Sequence, residues 1–256
     1  MKRCFLTNFI AFLFTITFSF ISSRAIANNE PEITIMTEMN PVKQSRHPMY
    51  KNGLDIIKHT EFDYRVRSMP WNRAYHSAKT TANTVIFPIY KIPNRTKDFH
   101  WVCPIASSRN MYLFRLASRQ DLHIDTFAQT SGKVIGVVKD SMLHQYIVKH
   151  HQDSNFSLDS TVYDATNIDK LLNGRLDYIA QSQEQLIEYF KSNNLPHHLV
   201  KKELLIYDHT LYPMCMAISK GTAQESIAKI TASHHTLFGR NDFSPQAISH
   251  GFENCH

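Results

Sequence analysis

The length, composition and charge of this chain exclude several classes of protein. Its 256 residues are 43% hydrophobic and 20% charged, which is enough apolar material for one large domain or two small lobes. The 28 basic residues only modestly outnumber the 22 acidic ones, and they form no long runs. Nucleic acid is therefore not expected as a partner.

The first segment of the chain is typical of a secretory signal peptide. Lys2 and Arg3 precede an apolar stretch, and Ala25 and Ala27 form a small-x-small cleavage signal after it. We expect residues 1–27 to be removed, which would place the mature protein in the periplasm. A membrane anchor is the alternative, but the apolar stretch is short and is interrupted by hydroxyl side chains.

Short strands alternate with helices in the segment that follows. Strands are predicted at 33–37, 64–69 and 84–89, and helices at 53–62 and 70–79. This βαβαβ order predicts a parallel sheet whose strands are joined by helical crossovers.

A second alternating set follows the apolar segment "MYLFRL". Its predicted strands are 133–138, 161–165 and 177–181, and its predicted helices are 141–150, 167–175 and 182–193. Two further strands and a last helix are predicted at 199–207, 212–219 and 222–239. Thr222 and Glu225 have the spacing of a capping box at the start of that helix, and Gly239 marks its end. Two such sets imply two lobes.

The cysteines and histidines have no spacing typical of a metal site. Cys103, Cys215 and Cys255 remain after the signal peptide, and an oxidising compartment could pair two of them. Cys215 is the least certain participant, because its segment reads as a buried strand in which a thiol can serve as a small apolar side chain. The histidines include adjacent pairs, which do not share a helix or strand face. We expect at most one intrachain disulfide, no metal ion and no cofactor.

Seven segments of the mature chain carry a resemblance to a known family. They are "ITIMTEMNP", "GLDIIK", "MPWNRAY", "IPNRTKDFHWVCPI", "KVIGVVKDS", "LLNGRLDYIAQS" and "YPMCMAISKGT". In this order they resemble family 3 periplasmic solute-binding proteins, the polar amino acid receptors of ABC transporters. The resemblance implies an α/β fold of type II, with two lobes that are mostly parallel sheets flanked by helices, joined by crossing hinge strands and closing on a ligand. It places the first lobe at 28–106 and 208–256, and the second at 107–207.

The resemblance also implies which charged side chains meet the ligand. In the family, an arginine shortly after the third strand of the first lobe grips the α-carboxylate of the ligand, and Arg95 occupies that place. Glu38 follows the first strand, where an acidic residue often lies near the ligand. The alternative for each is a solvated loop charge.

Aromatic and backbone groups complete the implied site. Trp71 and Tyr90 would form aromatic walls, although each could instead serve only in packing. Ser141 with Met142 lies at the start of a helix whose backbone amides would help to hold the carboxylate.

The chain departs from the family pattern at several of these places. Where the family keeps an aspartate for the α-amine of the ligand, this chain has Ser182, which also begins an S-x-x-Q capping box. A hydroxyl cannot neutralise an ammonium ion, and Pro88 replaces a residue that is commonly a small hydroxyl. A standard α-amino acid is therefore less expected than the fold alone suggests. Lys43 or Arg73 could favour a second acidic group on the ligand.

Three classes of function follow from these residues. The first is a monomeric periplasmic binding protein for a small carboxylated or polar solute, with an inner-membrane ABC permease as its partner. The second is a receptor lobe pair that serves a sensor protein instead of transport. The third is a dehydratase-like enzyme on the same scaffold. It is disfavoured because Glu38 is the one carboxylate that the pattern places in the cleft, and no Ser/His/Asp or Cys/His pattern supports nucleophilic chemistry.

Overall fold

The computed structural model describes residues 31–239, which form two sheets flanked by helices. The signal peptide predicted for residues 1–27 and the third mature cysteine, Cys255, lie outside the described residues. Between 31 and 239, the helices are all too short or too polar to cross a membrane.

Strands and helices alternate along most of the described chain. In chain order the elements are β1 (Ile33–Thr37), α1 (Pro48–Lys58), β2 (Tyr64–Ser68), α2 (Trp71–Thr80), β3 (Thr84–Tyr90), α3 (Pro93–Thr96), β4 (Phe99–Ala106), β5 (Met111–Leu116), β6 (Val134–Val138), α4 (Met142–His150), β7 (Ser157–Thr161), α5 (Asp164–Leu172), β8 (Tyr178–Ser182), α6 (Gln183–Ser192), β9 (Val200–Tyr207), β10 (Met214–Ser219) and α7 (Gln224–Phe238).

Each sheet combines a parallel half with an antiparallel half. The first sheet has the order β2-β1-β3-β10-β4, in which β1 runs parallel to β2 and β3 while β10 runs antiparallel to β3 and β4. The second has the order β7-β6-β8-β5-β9, with β6 parallel to its neighbours and β5 antiparallel to β8 and β9. Two links, residues 107–110 and 208–213, join the sheets. The predicted two-lobed α/β fold is confirmed, but the sheets are mixed and not mostly parallel as expected, because β10 and β5 each pair antiparallel with both of their neighbours. We propose the lobe boundaries in these two links.

The helices pack on the sheets through close contacts. Gly53 lies inside α1, where an added Cβ would come within 2.3 Å of the Phe87 ring on β3, so the glycine lets the helix approach the strand. Helix α7 contacts both α1 and β4. Its Ser233 donates a hydrogen bond to the Ile56 carbonyl of α1, and its His234 donates one to the Pro104 carbonyl of β4 at 2.7 Å. His234 is therefore a buried structural histidine.

Three local predictions were wrong. The strand predicted at 161–165 lies earlier, at β7, because Val162 and Tyr163 are exposed and Asp164 already begins α5. Helix α1 begins at Pro48 rather than at Gly53, with His47 as its N-cap. The capping box at the start of α7 does not form, because the Thr222 hydroxyl bonds to the hydroxyl of Ser219 at 2.8 Å.

A disulfide joins Cys103 on β4 to Cys215 on β10. Cys215 was expected to be the least certain participant, and that expectation was wrong. The sequence places the two cysteines 112 residues apart, but the antiparallel pairing of β4 with β10 brings their Cα atoms to 4.6 Å, which is within the range that a disulfide spans.

The pairing predicts the number of free thiols in the mature protein. With Cys103 and Cys215 joined, denatured and non-reduced protein without its signal peptide should react with one equivalent of a thiol reagent, contributed by Cys255. Reduction before the assay should raise the count to three. Three reactive thiols without reduction would show that the disulfide does not form.

Candidate ligand-binding cleft

A cavity of about 110 Å³ lies between the two sheets and is lined by both lobes. It holds several water-sized groups, the scale of a small organic molecule. Its walls come from residues at or just beyond the carboxyl ends of β1, β3, β6 and β8, where open α/β sheets usually bind ligands. Six of the seven predicted site residues line it: Glu38, Trp71, Tyr90, Arg95, Ser141 and Met142. Four polar side chains that were not predicted line it too: Arg109, Asp164, Gln181 and Gln185.

Arg95 is buried in the wall of the cavity, with 1% of its surface exposed. The short helix α3 places its guanidinium over the rings of Trp71 and Tyr75, at 4.8 and 5.2 Å from their centroids, an arrangement that attracts a cation. Arg95 Nη2 donates to the Asp140 carbonyl at 3.0 Å, while Nε has no hydrogen-bond partner in the described part of the chain. This burial excludes the alternative of a solvated loop charge.

No carboxylate of residues 31–239 forms an ion pair with Arg95. Its neighbour Asp98 is used elsewhere, because it accepts hydrogen bonds from Tyr75 at 3.0 Å and from Lys79 at 2.9 Å. Burial lowers the pKa of Arg95 to about 10, opposed by the nearby Tyr75, Glu38 and Asp140. The arginine therefore remains charged at neutral pH, in a place where an anion would stabilise it.

The Asp140 carbonyl connects the two lobes. It accepts hydrogen bonds from Trp71 Nε1 at 2.9 Å and from Arg95, both in the first lobe, and from Gln145 at 3.2 Å in its own lobe. Asp140 has a φ of 58°, and this left-handed turn between β6 and α4 directs its carbonyl toward the first lobe.

Trp71 and Tyr90 both lie in the cavity wall and are largely buried. Trp71 begins α2 and is 6% exposed. Tyr90 ends β3, and its hydroxyl accepts a hydrogen bond from the backbone N–H of Arg109 at 3.2 Å. Burial raises the pKa of Tyr90 to about 12, so the hydroxyl stays protonated and can donate a hydrogen bond to a ligand.

Ser141 and Met142 bring the N-terminus of α4 to the cavity. The Ser141 hydroxyl caps this helix by accepting a hydrogen bond from the His144 N–H at 3.1 Å. The start of α4 therefore contributes the positive end of its dipole to the cavity wall.

Ser182 lies outside the lining of the cavity, although its neighbours Gln181 and Gln185 belong to it. The side chain is fully buried. Its hydroxyl accepts a hydrogen bond from the Gln185 N–H at 3.2 Å and donates one to Gln185 Oε1 at 2.9 Å. Ser182 is therefore the N-cap residue of α6.

Replacing Ser182 by alanine should separate the cap from a role toward the ligand. Ser182→Ala should lower the free energy of unfolding by about 1 kcal/mol, because α6 loses its cap, while Ser182→Thr should retain most of it. We expect ligand affinity to stay the same in both variants. Urea denaturation and calorimetric titration measure the two quantities, and weaker binding with unchanged stability would assign the hydroxyl to the ligand.

Two carboxylates face the cavity from opposite lobes, Glu38 from the first and Asp164 from the second. Glu38 is open to the cleft, but desolvation by the surrounding protein raises its pKa to about 8, with Asp164 adding to the rise and Arg95 opposing it. Burial likewise raises the pKa of Asp164 to about 6, opposed by a hydrogen bond from Gln181. A cation between the two carboxylates would favour the ionised form of both.

Sequence reasoning missed Asp164 and Arg109. Asp164 was missed because residues 161–165 were predicted to form a strand. Its position in the first turn of α5 is the signal that could have identified it. Arg109 lies in the link 107–110, where no motif marks it. Lys43 and Arg73, the candidates for contact with a second acidic group on the ligand, are exposed and do not line the cavity. Among residues 31–239, no cluster of three or more His, Cys, Asp or Glu side chains could hold a metal ion.

Comparisons with known proteins identify the fold. No family model matches the sequence, and no curated protein matches it. Solved structures do match. An ancestral arginine-binding protein bound to arginine is 16% identical, with a TM-score of 0.67 over 84% of this chain and 96% of its own. A periplasmic binding protein of Salmonella typhimurium with high arginine specificity is 12% identical, with a TM-score of 0.65 over 84% of this chain and 96% of its own.

A third similar structure comes from a different class of protein. It is a histidine kinase sensor domain with similarity to periplasmic binding proteins, 13% identical, with a TM-score of 0.66 over 82% of this chain and 91% of its own. At such identities the likeness concerns the fold. The chain has the two-lobed α/β fold of periplasmic binding proteins.

Proposed function

We propose that this chain is a periplasmic solute-binding protein that captures a small, amino acid-like solute between its lobes by hinge closure. The solute carries a carboxylate and a cationic group. We further propose that the chain acts as a monomer and delivers the solute to an inner-membrane ABC permease.

The observation that supports this proposal most directly is the burial of Arg95 without an ion-pair partner. A guanidinium that is 1% exposed, lines the cleft and has no ion-pair partner within residues 31–239 is costly to bury. Its fork of donors suits a carboxylate, which can accept two hydrogen bonds from one guanidinium. The α4 N-terminus at Ser141 adds further attraction for an anion.

The cationic group of the solute would lie between Glu38 and Asp164. Ser182 cannot supply the charge that an ammonium ion needs, but these two carboxylates from opposite lobes can. Two of the similar structures are arginine-binding proteins, and their ligand combines a carboxylate with cationic groups, as this proposal requires.

A transport-independent sensor is the second candidate, and the similarity to the histidine kinase sensor domain favours it. Deleting the gene separates the two functions. Loss of uptake of the labelled solute supports transport, whereas normal uptake with a lost cellular response to the solute supports sensing.

An enzyme is the third candidate, because a carboxyl group with a raised pKa such as Glu38 can serve as a general acid. Incubation of the protein with each solute that it binds, followed by mass analysis, tests this. Conversion of a bound solute would overturn the proposal of a binding protein, and we expect the solute to be recovered unchanged.

A thermal-shift screen of amino acids, organic acids, amines and small peptides tests the central proposal. A solute present at a hundredfold over its dissociation constant should add about 2.7 kcal/mol to the free energy of unfolding, which a melting curve detects readily. Carboxylated solutes with a cationic group should give the largest shifts. The absence of a melting shift with every solute in the screen would contradict the proposal.

A further inference from the structure

We propose that Arg109 is a specificity-determining residue, which binds a second anionic group of the solute where the cleft meets the link between the lobes. The preferred solutes would then carry two carboxylates and one cationic group. This inference rests on the proposed function and adds the chemical class of the solute.

The position of Arg109 is fixed by the residues around it. It belongs to the link 107–110 and lines the cavity. Its backbone N–H donates to the buried hydroxyl of Tyr90 at 3.2 Å, and the next residue, Asn110, accepts a hydrogen bond from the His209 N–H at 2.8 Å in the second link. Both links thus hold the base of this side chain at the edge of the cleft.

The guanidinium of Arg109 has no carboxylate partner among the described residues. Arg115, by comparison, has a carboxylate partner. Its Nε lies 2.7 Å from Glu203 Oε1 in an ion pair, although not in hydrogen-bond geometry. Glu184 of α6 raises the pKa of Tyr90, and Glu188 raises that of His47, two residues that Arg109 contacts. Neither glutamate forms an ion pair with Arg109. Arg109 therefore presents an uncompensated positive charge to the cleft.

The Arg109 guanidinium contacts His47, with Nη2 2.7 Å from the imidazole Nε2. A guanidinium only donates, so Nε2 accepts this hydrogen bond when the neutral imidazole carries its proton on Nδ1. In the other tautomer, Nδ1 accepts from the Met49 N–H at 3.3 Å and caps α1. A neutral imidazole therefore makes one of these two hydrogen bonds at a time.

An anion resolves this conflict, because it can accept hydrogen bonds from Arg109 and from His47 Nε2 together. Burial and the charge of Arg109 both lower the pKa of His47, opposed by Glu188, which keeps the imidazole neutral and leaves it one nitrogen that can accept. Arg95 and Arg109 belong to different elements, α3 and the link. Together with Glu38 and Asp164 they give the cavity two cationic and two anionic side chains, which suits a solute with two anionic groups and one cationic group.

Calorimetric titration with matched pairs of solutes tests the role of Arg109. The probes are L-glutamate against L-glutamine and L-aspartate against L-asparagine, which differ in the second carboxylate. The proteins are the wild type, Arg109→Gln, Arg109→Lys and a control, Arg175→Gln, which removes an exposed arginine that does not line the cavity.

We expect the wild type to bind the dicarboxylate of a pair more tightly than its amide. Arg109→Gln should weaken dicarboxylate binding roughly 10- to 100-fold, the range of a lost charge-assisted hydrogen bond, and should affect the amide little. Arg109→Lys should fall between, because it keeps the charge and loses the fork. Arg175→Gln should bind like the wild type.

Each other outcome overturns a distinct statement. Equal affinity for acid and amide in the wild type, or equal losses for both in Arg109→Gln, would overturn the role of Arg109 and leave the proposed function standing. Binding of none of these probes, with no shift in the wider thermal screen, would overturn the proposed function and this inference with it. Melting curves of the variants verify that each is folded.

Discussion

Arg95→Ala should abolish or severely weaken binding of carboxylated solutes, by roughly 2 to 5 kcal/mol, because the bound anion would be left desolvated without a partner. Melting of the ligand-free protein should change little. The contacts of Arg95 with Trp71, Tyr75 and the Asp140 carbonyl are lost, but the cost of burying its charge is lost as well. Calorimetric titration beside melting curves measures both effects.

Two further variants sharpen this test. Arg95→Lys retains the charge but loses the planar fork, so a bidentate contact predicts a substantial loss of affinity here too. Arg67→Ala is the matched control, because Arg67 is an exposed arginine on β2 that does not line the cavity. Unchanged affinity in Arg95→Ala would refute the carboxylate role, and a large fall in melting temperature with intact affinity would make Arg95 a purely structural residue.

Glu38→Gln and Asp164→Asn should each weaken binding of a cationic solute by roughly 1.5 to 3 kcal/mol, the range for hydrogen bonds to charged groups. Solutes without a cationic group should bind no worse, because they carry no group with which either carboxylate would pair. Titration of a matched pair such as L-glutamine and its deaminated acid, which has no cationic group, distinguishes the two effects. Equal losses for both solutes would contradict the assignment of these carboxylates to the cation.

The same carboxylates predict how stability depends on pH. Their pKa values are raised in the folded protein, from 4.5 to about 8 for Glu38 and from 3.8 to about 6 for Asp164. Their contribution to stability is therefore fully present below the ordinary values and is lost as the pH rises through about 6 and then about 8. Each amide variant should flatten this decline in melting temperature. A cationic solute favours the ionised forms, so its affinity should rise with pH across this window and its binding should release protons.

The sequence predicted strands well where an uninterrupted pattern marks them and poorly where polar residues or a proline interrupt it. All five residues of β1 are buried, and its predicted bounds match the structure. β7 and β4 lie at sheet edges. β7 has the polar sequence "SLDST", and β4 contains Pro104, which an edge strand tolerates because it pairs on one side only. The polar residues of β7 and the proline within β4 hid these two strands, whereas two other edge strands, β2 and β9, were predicted.

The candidate site was predictable where a residue follows a strand and unpredictable where tertiary packing brings it in. Arg95 and Glu38 could be placed because each comes shortly after a parallel strand of the first sheet. Asp164 and Arg109 reach the cavity from a misassigned element and from a link, and local sequence contains no information on where these meet the first lobe. The disulfide partner of Cys103 was hidden for the same reason, because only the pairing of β4 with β10 selects Cys215.

The hydrogen bond from Trp71 to the Asp140 carbonyl gives the protein an intrinsic optical reporter. The chain has two tryptophans, and they differ in what their indoles contact. Trp71 Nε1 reaches across to the second lobe, whereas Trp101 Nε1 donates to the Thr96 carbonyl within the first lobe at 3.0 Å. Separation of the lobes would expose the Trp71 indole to water and leave the surroundings of Trp101 unchanged. The emission of a Trp101→Phe variant would therefore follow the opening of the cleft without any attached dye.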